Sequence, residues 1–286
     1  MAVTKNNSAS AKTINATEPK TEPKTEASTD ALTIFGSSTI KQFDPNIPEY
    51  LRDQVGNQAG SEDVGRDDVL IPRLALAQDG MSPQLKKAHE SYIPGLQAGD
   101  LFNSVTGEIY GAKVQVVPLV FFKNFIEFVP ISAGGGVKQM YNSMEEVPPE
   151  KLQFTRNEKN ESVSPDVTEF KNRLSLLLHA DGRQPELIVV SFKASGLKAA
   201  KKWNSLIKAT NLPAFARSYI LSVVNKVKGQ QTWFGLDVMP DVFVPAYFFA
   251  QAKAHFDNLG RGGYKVDTTG LESDANESGA GGDTGF

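Results

Sequence analysis

The stretch GDLFNSVTGEIYGAKVQVVPLVFFKNFIEFVP, from Gly99 to Pro130, constrains the fold more than any other part of the chain. It is dense in β-branched and aromatic residues, and Thr106-Gly107 and Gly111 punctuate it. Side chains of that kind fit a pleated, half-buried surface, so the pattern predicts short strands joined by turns from about Gly99 onward. PELIVVSFK, closing on Lys193, predicts a further strand. FARSYILSVVNKVKGQQTWFGLDV predicts a hairpin in which Gly229 supplies the turn. Between these lies SGLKAAKKWNSLIKAT, with Leu197, Ala200, Trp203 or Asn204, and Ile207 at helical spacing. VPAYFFAQAKAHFDN predicts a last helix. Short strands, a helix between strands and no βαβ rhythm point to a mainly β, α+β fold: an OB-like small β-barrel with added helices.

Apolar patterning fails at both ends. Residues 1–31 carry a TEPK repeat, balanced charges and almost no apolar side chains. Such a segment buries too little to offset the entropy of ordering, so a disordered arm is expected. Residues 265–286 read as a disordered acidic tail, and 32–264 as the folded domain. Within the domain, EYLRDQ after Pro48 predicts a short helix, and MSPQLKKAHESY another opened by Pro83. The Gly-rich, then polar run from Ser132 to Val167 reads as a long excursion.

The composition excludes several kinds of chemistry. There is no Cys, so no disulfide, thiolate metal site or cysteine nucleophile is available. His89, His179 and His255 are scattered and suggest no metal cluster. The N-terminus lacks the apolar core of a signal peptide, and no run approaches the roughly 18 apolar residues of a membrane-spanning helix. A cytoplasmic protein without membrane association is expected. No nucleophile elbow, P-loop, zincin or dinucleotide fingerprint occurs. Gly134–Gly136 reads as a flexible tip, and the acids of DVGRDD (Asp63 to Asp68) as solvated surface. The expectation is a non-enzyme without cofactor or metal.

The charge distribution is more informative than the net charge of -3. Between Glu186 and Asp237 there is no Asp or Glu, but Lys193, Lys198, Lys201, Lys202, Lys208, Arg217, Lys226 and Lys228 are present. From Val266 to the end Asp267, Glu272, Asp274, Glu277 and Asp283 stand without a single Lys or Arg. A basic block followed by an acidic tail marks polyanion binding with a built-in competitor. A binder of single-stranded nucleic acid needs cations along a groove and rings between them. Tyr219, Trp233 and Phe121 are the candidate stacking rings; Lys198, Lys201, Lys202, Lys208, Arg217, Lys226, Lys228 and Lys123 are the candidate phosphate contacts. Arg217 and Tyr219, two apart on a strand, are expected on one face. Trp203, on the apolar stripe, is expected in the core.

In layout, the barrel-like centre, the basic aromatic block and the acidic tail ending in Phe286 resemble phage-type single-stranded DNA-binding proteins. VLIPRLALAQDGMSPQL and GDLFNSVTGEIYGAKVQVVP look like segments of phage replication-module proteins. The resemblance implies sequence-independent binding and protection of single-stranded DNA in replication and recombination, in the host cytoplasm, with a possible homo-oligomer. It also implies recruitment of replication proteins (a polymerase, helicase or nuclease) by the tail, where Asp283 and the ring and carboxylate of Phe286 are the candidate docking residues. The alternatives are a phage structural or scaffold protein with an acidic protein partner, and an RNA-binding or strand-annealing protein.

Overall fold

The computed structural model describes residues 47–54, 59–64, 70–129, 135–156, 160, 162–163 and 165–259. The expected N-terminal arm and C-terminal tail, Asp283 and Phe286 among them, lie outside these residues. The core is an antiparallel sheet in the order β11-β10-β4-β8-β9. Its strands are β4 (Lys113–Phe128), β8 (Val167–Leu178), β9 (Glu186–Phe192), β10 (Arg217–Lys228) and β11 (Gln231–Phe243). A short sheet of β1 (Leu74–Leu76), β2 (Leu101–Asn103) and β3 (Ile109–Gly111) stands beside it. Strand β5 (Val137–Tyr141) pairs with the far end of β4, and β6 (Thr155–Arg156) pairs with β7 (Ser162–Val163).

Helix α1 (Leu197–Ala209) packs on one face of the central sheet and α2 (Ala246–Leu259) on the other. Ala200, Trp203 and Ile207 of α1 meet Val114, Val116, Leu177, Ile188, Val190, Tyr219 and Leu221. Phe248, Ala252 and Leu259 of α2 meet Val117, Leu119, Leu174, Leu176 and Leu178. Successive strand residues point to opposite faces, so Leu176 and Leu177 serve different cores. The α+β, mainly β expectation therefore holds, but the expected OB-like closure is not formed among the described residues. The sheet is open, with β11 and β9 at its ends. A small barrel buries one face of each strand; here both faces of the central strands are apolar and covered by helices, which needs a layered sheet instead.

Strand β8 is not among the strands that the sequence pattern picks out, because its middle reads Lys171-Asn172-Arg173 and these polar residues are buried. The helices expected near Pro48 and Pro83 are short 3-10 helices, Glu49–Gln54 and Pro83–Leu85. The excursion after Ser132 supplies β5 and two 3-10 turns, Met144–Glu146 and Pro149–Leu152.

Strand β10 pairs with β4 only from Lys113 to Val116. Pro118, which has no N–H for a ladder, falls just beyond that pairing, where a bulge also shifts the register to β8. Past the bulge, β4 and β8 run on together as an extension flanked by β5. The β10–β11 hairpin closes through Gly229 and Gln230, with Gly229 at φ 60° as its turn requires. The free edge of β11 is blunted. The Gln78 carboxamide donates to the Phe234 carbonyl at 2.7 Å and accepts from its N–H at 2.9 Å. Further along, the Val238 N–H bonds the Asp237 carboxylate, and Pro240 has no N–H to offer. At the opposite edge the Val189 N–H is taken by the Pro72 carbonyl. No described helix is long and apolar enough to cross a membrane.

Glu127 near the end of β4 ties the extension together. Lys138 of β5 and Lys151 of the 3-10 turn each lie 2.7 Å from its carboxylate, which is almost fully buried. Those hydrogen bonds hold its carboxyl below the usual range. A group with a lowered native pKa contributes stability that is present above its unfolded pKa of about 4.3 and is lost as pH falls through the native value. Glu127→Gln is expected to cost about 1.5–3 kcal/mol at pH 7. Urea denaturation at descending pH should show the gap to wild type closing below about pH 4.

Candidate nucleic-acid interface

Trp203 reaches the sheet fully buried, with its ring centroid 6.1 Å from that of Phe192 and 5.8 Å from that of Tyr219. Over its remaining side lies Arg173 of β8, with the guanidinium carbon 5.1 Å from the Trp203 ring and 5.2 Å from the Phe121 ring. Phe121 and Arg173 are register partners on β4 and β8, so they share a face. The result is a stack of ring, cation and ring. The inner ring is sealed, whereas Phe121 is 37% exposed. Arg173 itself is only 6% exposed. Its Nη2 donates to Asn204 Oδ1 of α1, and none of its ion-pair partners is a described carboxylate. Desolvation lowers its pKa to about 10, so it keeps its charge at neutral pH.

Helical spacing places Lys201 and Lys208 on the same side of α1 as Asn204, one turn before it and one turn after. Both are exposed, as is Lys198. Along the strands the next register pair on that face is Lys123 with Lys171. Glu169 partly offsets these two, at 3.9 Å from Lys123 and 3.7 Å from Lys171. The geometry therefore brings Phe121, Lys123, Lys201 and Lys208 to one region, around an arginine that the basic block does not contain.

The other candidates are placed differently. Lys202 is on the opposite flank of α1, ion-paired at 2.6 Å with Asp237, the residue that ends the acid-free block. Tyr219 is 1% exposed in the core and presents no ring to solvent. Its place beneath α1 explains this: the inward face of β10 must fill the space around Trp203. Arg217 is held at the start of β10, where Nε and Nη2 donate to the Asp241 carbonyl at 3.0 and 2.8 Å and the guanidinium covers the Phe243 ring. A bulge between Arg217 and Tyr219 breaks the ladder that was expected to align them. Trp233 is half-buried, and its Nε1 donates to Ser195 Oγ at 3.2 Å. Lys226 turns inward to the Ser195 carbonyl, while Lys228 is exposed beside the hairpin turn. Arg173, Asn204 and Lys171 are the residues that the sequence reading missed. Their signal is the alternation Lys171, Arg173 in β8, which acquires meaning only once β8 is in register with Phe121 and Lys123.

An open antiparallel sheet between two helices, with a cation–aromatic stack beside a lysine-rich helix, defines an α+β protein with a basic, aromatic face. Residues 38–265, which include every described strand and helix, match the model of the Pam3 phage gp34-like protein family. The chain belongs to that bacteriophage family. No curated protein and no solved structure matches it.

A buried arginine with no described carboxylate partner contributes little to stability, because its desolvation offsets its contacts. Arg173→Met is therefore expected to remain within about 1 kcal/mol of wild type, or above it, in urea denaturation. A loss of about 3 kcal/mol or more would assign Arg173 to the fold rather than to a binding face.

Proposed function

We propose that this chain is a non-enzymatic, sequence-independent single-stranded DNA-binding protein that covers and protects strands during phage replication or recombination. The observation that carries the reading is the Phe121–Arg173–Trp203 stack with Lys201 and Lys208 beside it. An exposed ring whose inner face rests on a fixed cation is a pre-set platform, and a base of any identity has a π-face to lay on it. The exposed lysines of α1 neutralise the neighbouring phosphates, with Lys123 and Lys228 as further contacts. The acidic tail competes for the same cations and, when displaced, recruits replication proteins. Phage-family membership is consistent with that role and with the host cytoplasm as its site.

Fluorescence anisotropy with labelled oligo-dT tests the reading. Wild type should bind at low salt and weaken steeply as salt rises. Phe121→Ala should weaken binding about five- to 150-fold, corresponding to about 1–3 kcal/mol for one stacked base. Replacing Lys201 and Lys208 together by Gln should flatten the salt slope by about 1.4, since each single-strand phosphate contact contributes about 0.7. Absence of oligo-dT binding by wild type at low salt would overturn the proposal.

A further inference from the structure

The contact between Phe121 and Arg173 is built a second time where β10 begins and β11 ends. The Arg217 guanidinium carbon lies 5.1 Å from the centre of the Phe243 ring, against 5.2 Å for Arg173 over Phe121. Phe243 is 57% exposed, so a ring that rests on a cation is again open to solvent. Arg217 is fixed in place. Its Nε and Nη2 both donate to the Asp241 carbonyl, which sets the plane of the guanidinium. The Asp241 carboxylate is engaged elsewhere: Ser218 Oγ donates to its Oδ2 at 2.7 Å, and the buried Gln115 carboxamide donates to the same oxygen. A neutral carbonyl therefore orients the cation, and its charge stays beneath the ring.

The two rings are close enough to serve one strand. Antiparallel pairing of Tyr219 with Val116 brings Arg217 level with Pro118, three positions before Phe121 on β4. At about 3.3 Å per residue and about 4.8 Å per strand, Phe121 and Phe243 stand roughly 15 Å apart, a span that a few nucleotides cover. Ile207 and Tyr219 share a core cluster, which brings the last turn of α1, with the exposed Lys208, toward the start of β10. We propose that Phe243, backed by Arg217, is a second base-stacking position, and that one DNA strand runs from Phe121 past Lys208 to Phe243. The proposal rests on the single-stranded DNA reading above and extends it to a residue beyond the acid-free block. A ring held on a cation takes a base of any identity on its open face.

Anisotropy titrations of the full-length protein with labelled oligo-dT long enough to span both rings test it, with circular dichroism of each variant alongside. Phe243→Ala should weaken binding about five- to 150-fold, the effect of one stacked base. Phe243→Leu should lose as much, because it keeps apolar bulk without a π-face, whereas Phe243→Trp should bind at least as tightly as wild type. In Phe243→Trp, oligo-dT should quench emission beyond the change seen from Trp203 and Trp233 in wild type, which a purely structural ring would not show. Tyr247→Ala removes an exposed ring that contacts Phe248 rather than a cation, and should bind as wild type does. If Phe243→Ala does not fold, Phe243→Leu and Phe243→Trp decide. Binding lost in Phe121→Ala but unchanged in Phe243→Ala and Phe243→Leu would overturn the second position and leave the Phe121 platform standing. An equal loss in Tyr247→Ala would also overturn it. No oligo-dT binding by wild type at low salt would overturn both.

Discussion

Trp203 carries the docking of α1 onto the sheet, and the placement of the basic face follows from it. The ring fills the space between Phe192 and Tyr219, so the helix can sit in only one rotation about its own axis. That rotation turns Ala199, Ala200 and Ile207 inward and leaves Lys198, Lys201 and Lys208 outside. It also brings Asn204 onto Arg173, and the same indole forms the floor beneath the guanidinium. The hydrophobic anchor and the electrostatic surface are therefore set by one residue. Deleting a buried aromatic of this size typically costs about 3–5 kcal/mol.

The two helices determine why the strands differ so much along their length. Beneath α1 and α2 both faces of β4 are buried, and from Val114 to Leu119 the strand is apolar apart from Gln115, whose carboxamide donates to Ser218 and Asp241. Past Leu119 the cover from the helices thins, and exposed and half-buried residues alternate through Phe121, Phe122 and Lys123. An aromatic side chain can be half-exposed there because the strand is held by β8 and β5 rather than by a helix. The extension that carries the platform is thus a consequence of where the layered core ends. The Glu127 ion pairs then secure the far end of that extension.

Much of the fold was legible in the residues. The β9 strand, the α1 stripe, the β10–β11 hairpin with Gly229 in its turn, and the last helix all follow from local periodicity and turn chemistry. Local patterns do not report which strands become neighbours. Strand β8 was hidden because Lys171, Asn172 and Arg173 look like a solvated run, whereas register with β4 and cover from α1 bury them. The open sheet was hidden for a related reason: an apolar run in β4 fits a barrel interior as well as a sheet covered on two sides. Of the candidate site, Phe121, Lys123 and the outer lysines of α1 were readable from alternation and helical spacing. Tyr219, Arg217 and Lys202 carry the same residue types but are committed to the core, to the Asp241 carbonyl and to Asp237. Charge counts along a chain do not distinguish a free lysine from one that a distant acid has already claimed.

The central claim is that a base stacks on Phe121 while its neighbours' phosphates meet the outer lysines of α1. Ultraviolet cross-linking of a bromodeoxyuridine-substituted oligomer, followed by peptide mass spectrometry, tests it most directly. Adducts centred on Phe121 are expected, lost in Phe121→Ala, with protection of Lys201 and Lys208 from acylation in the same complex. Adducts confined to the β11 edge or to α2, with Phe121 unmodified, would contradict it.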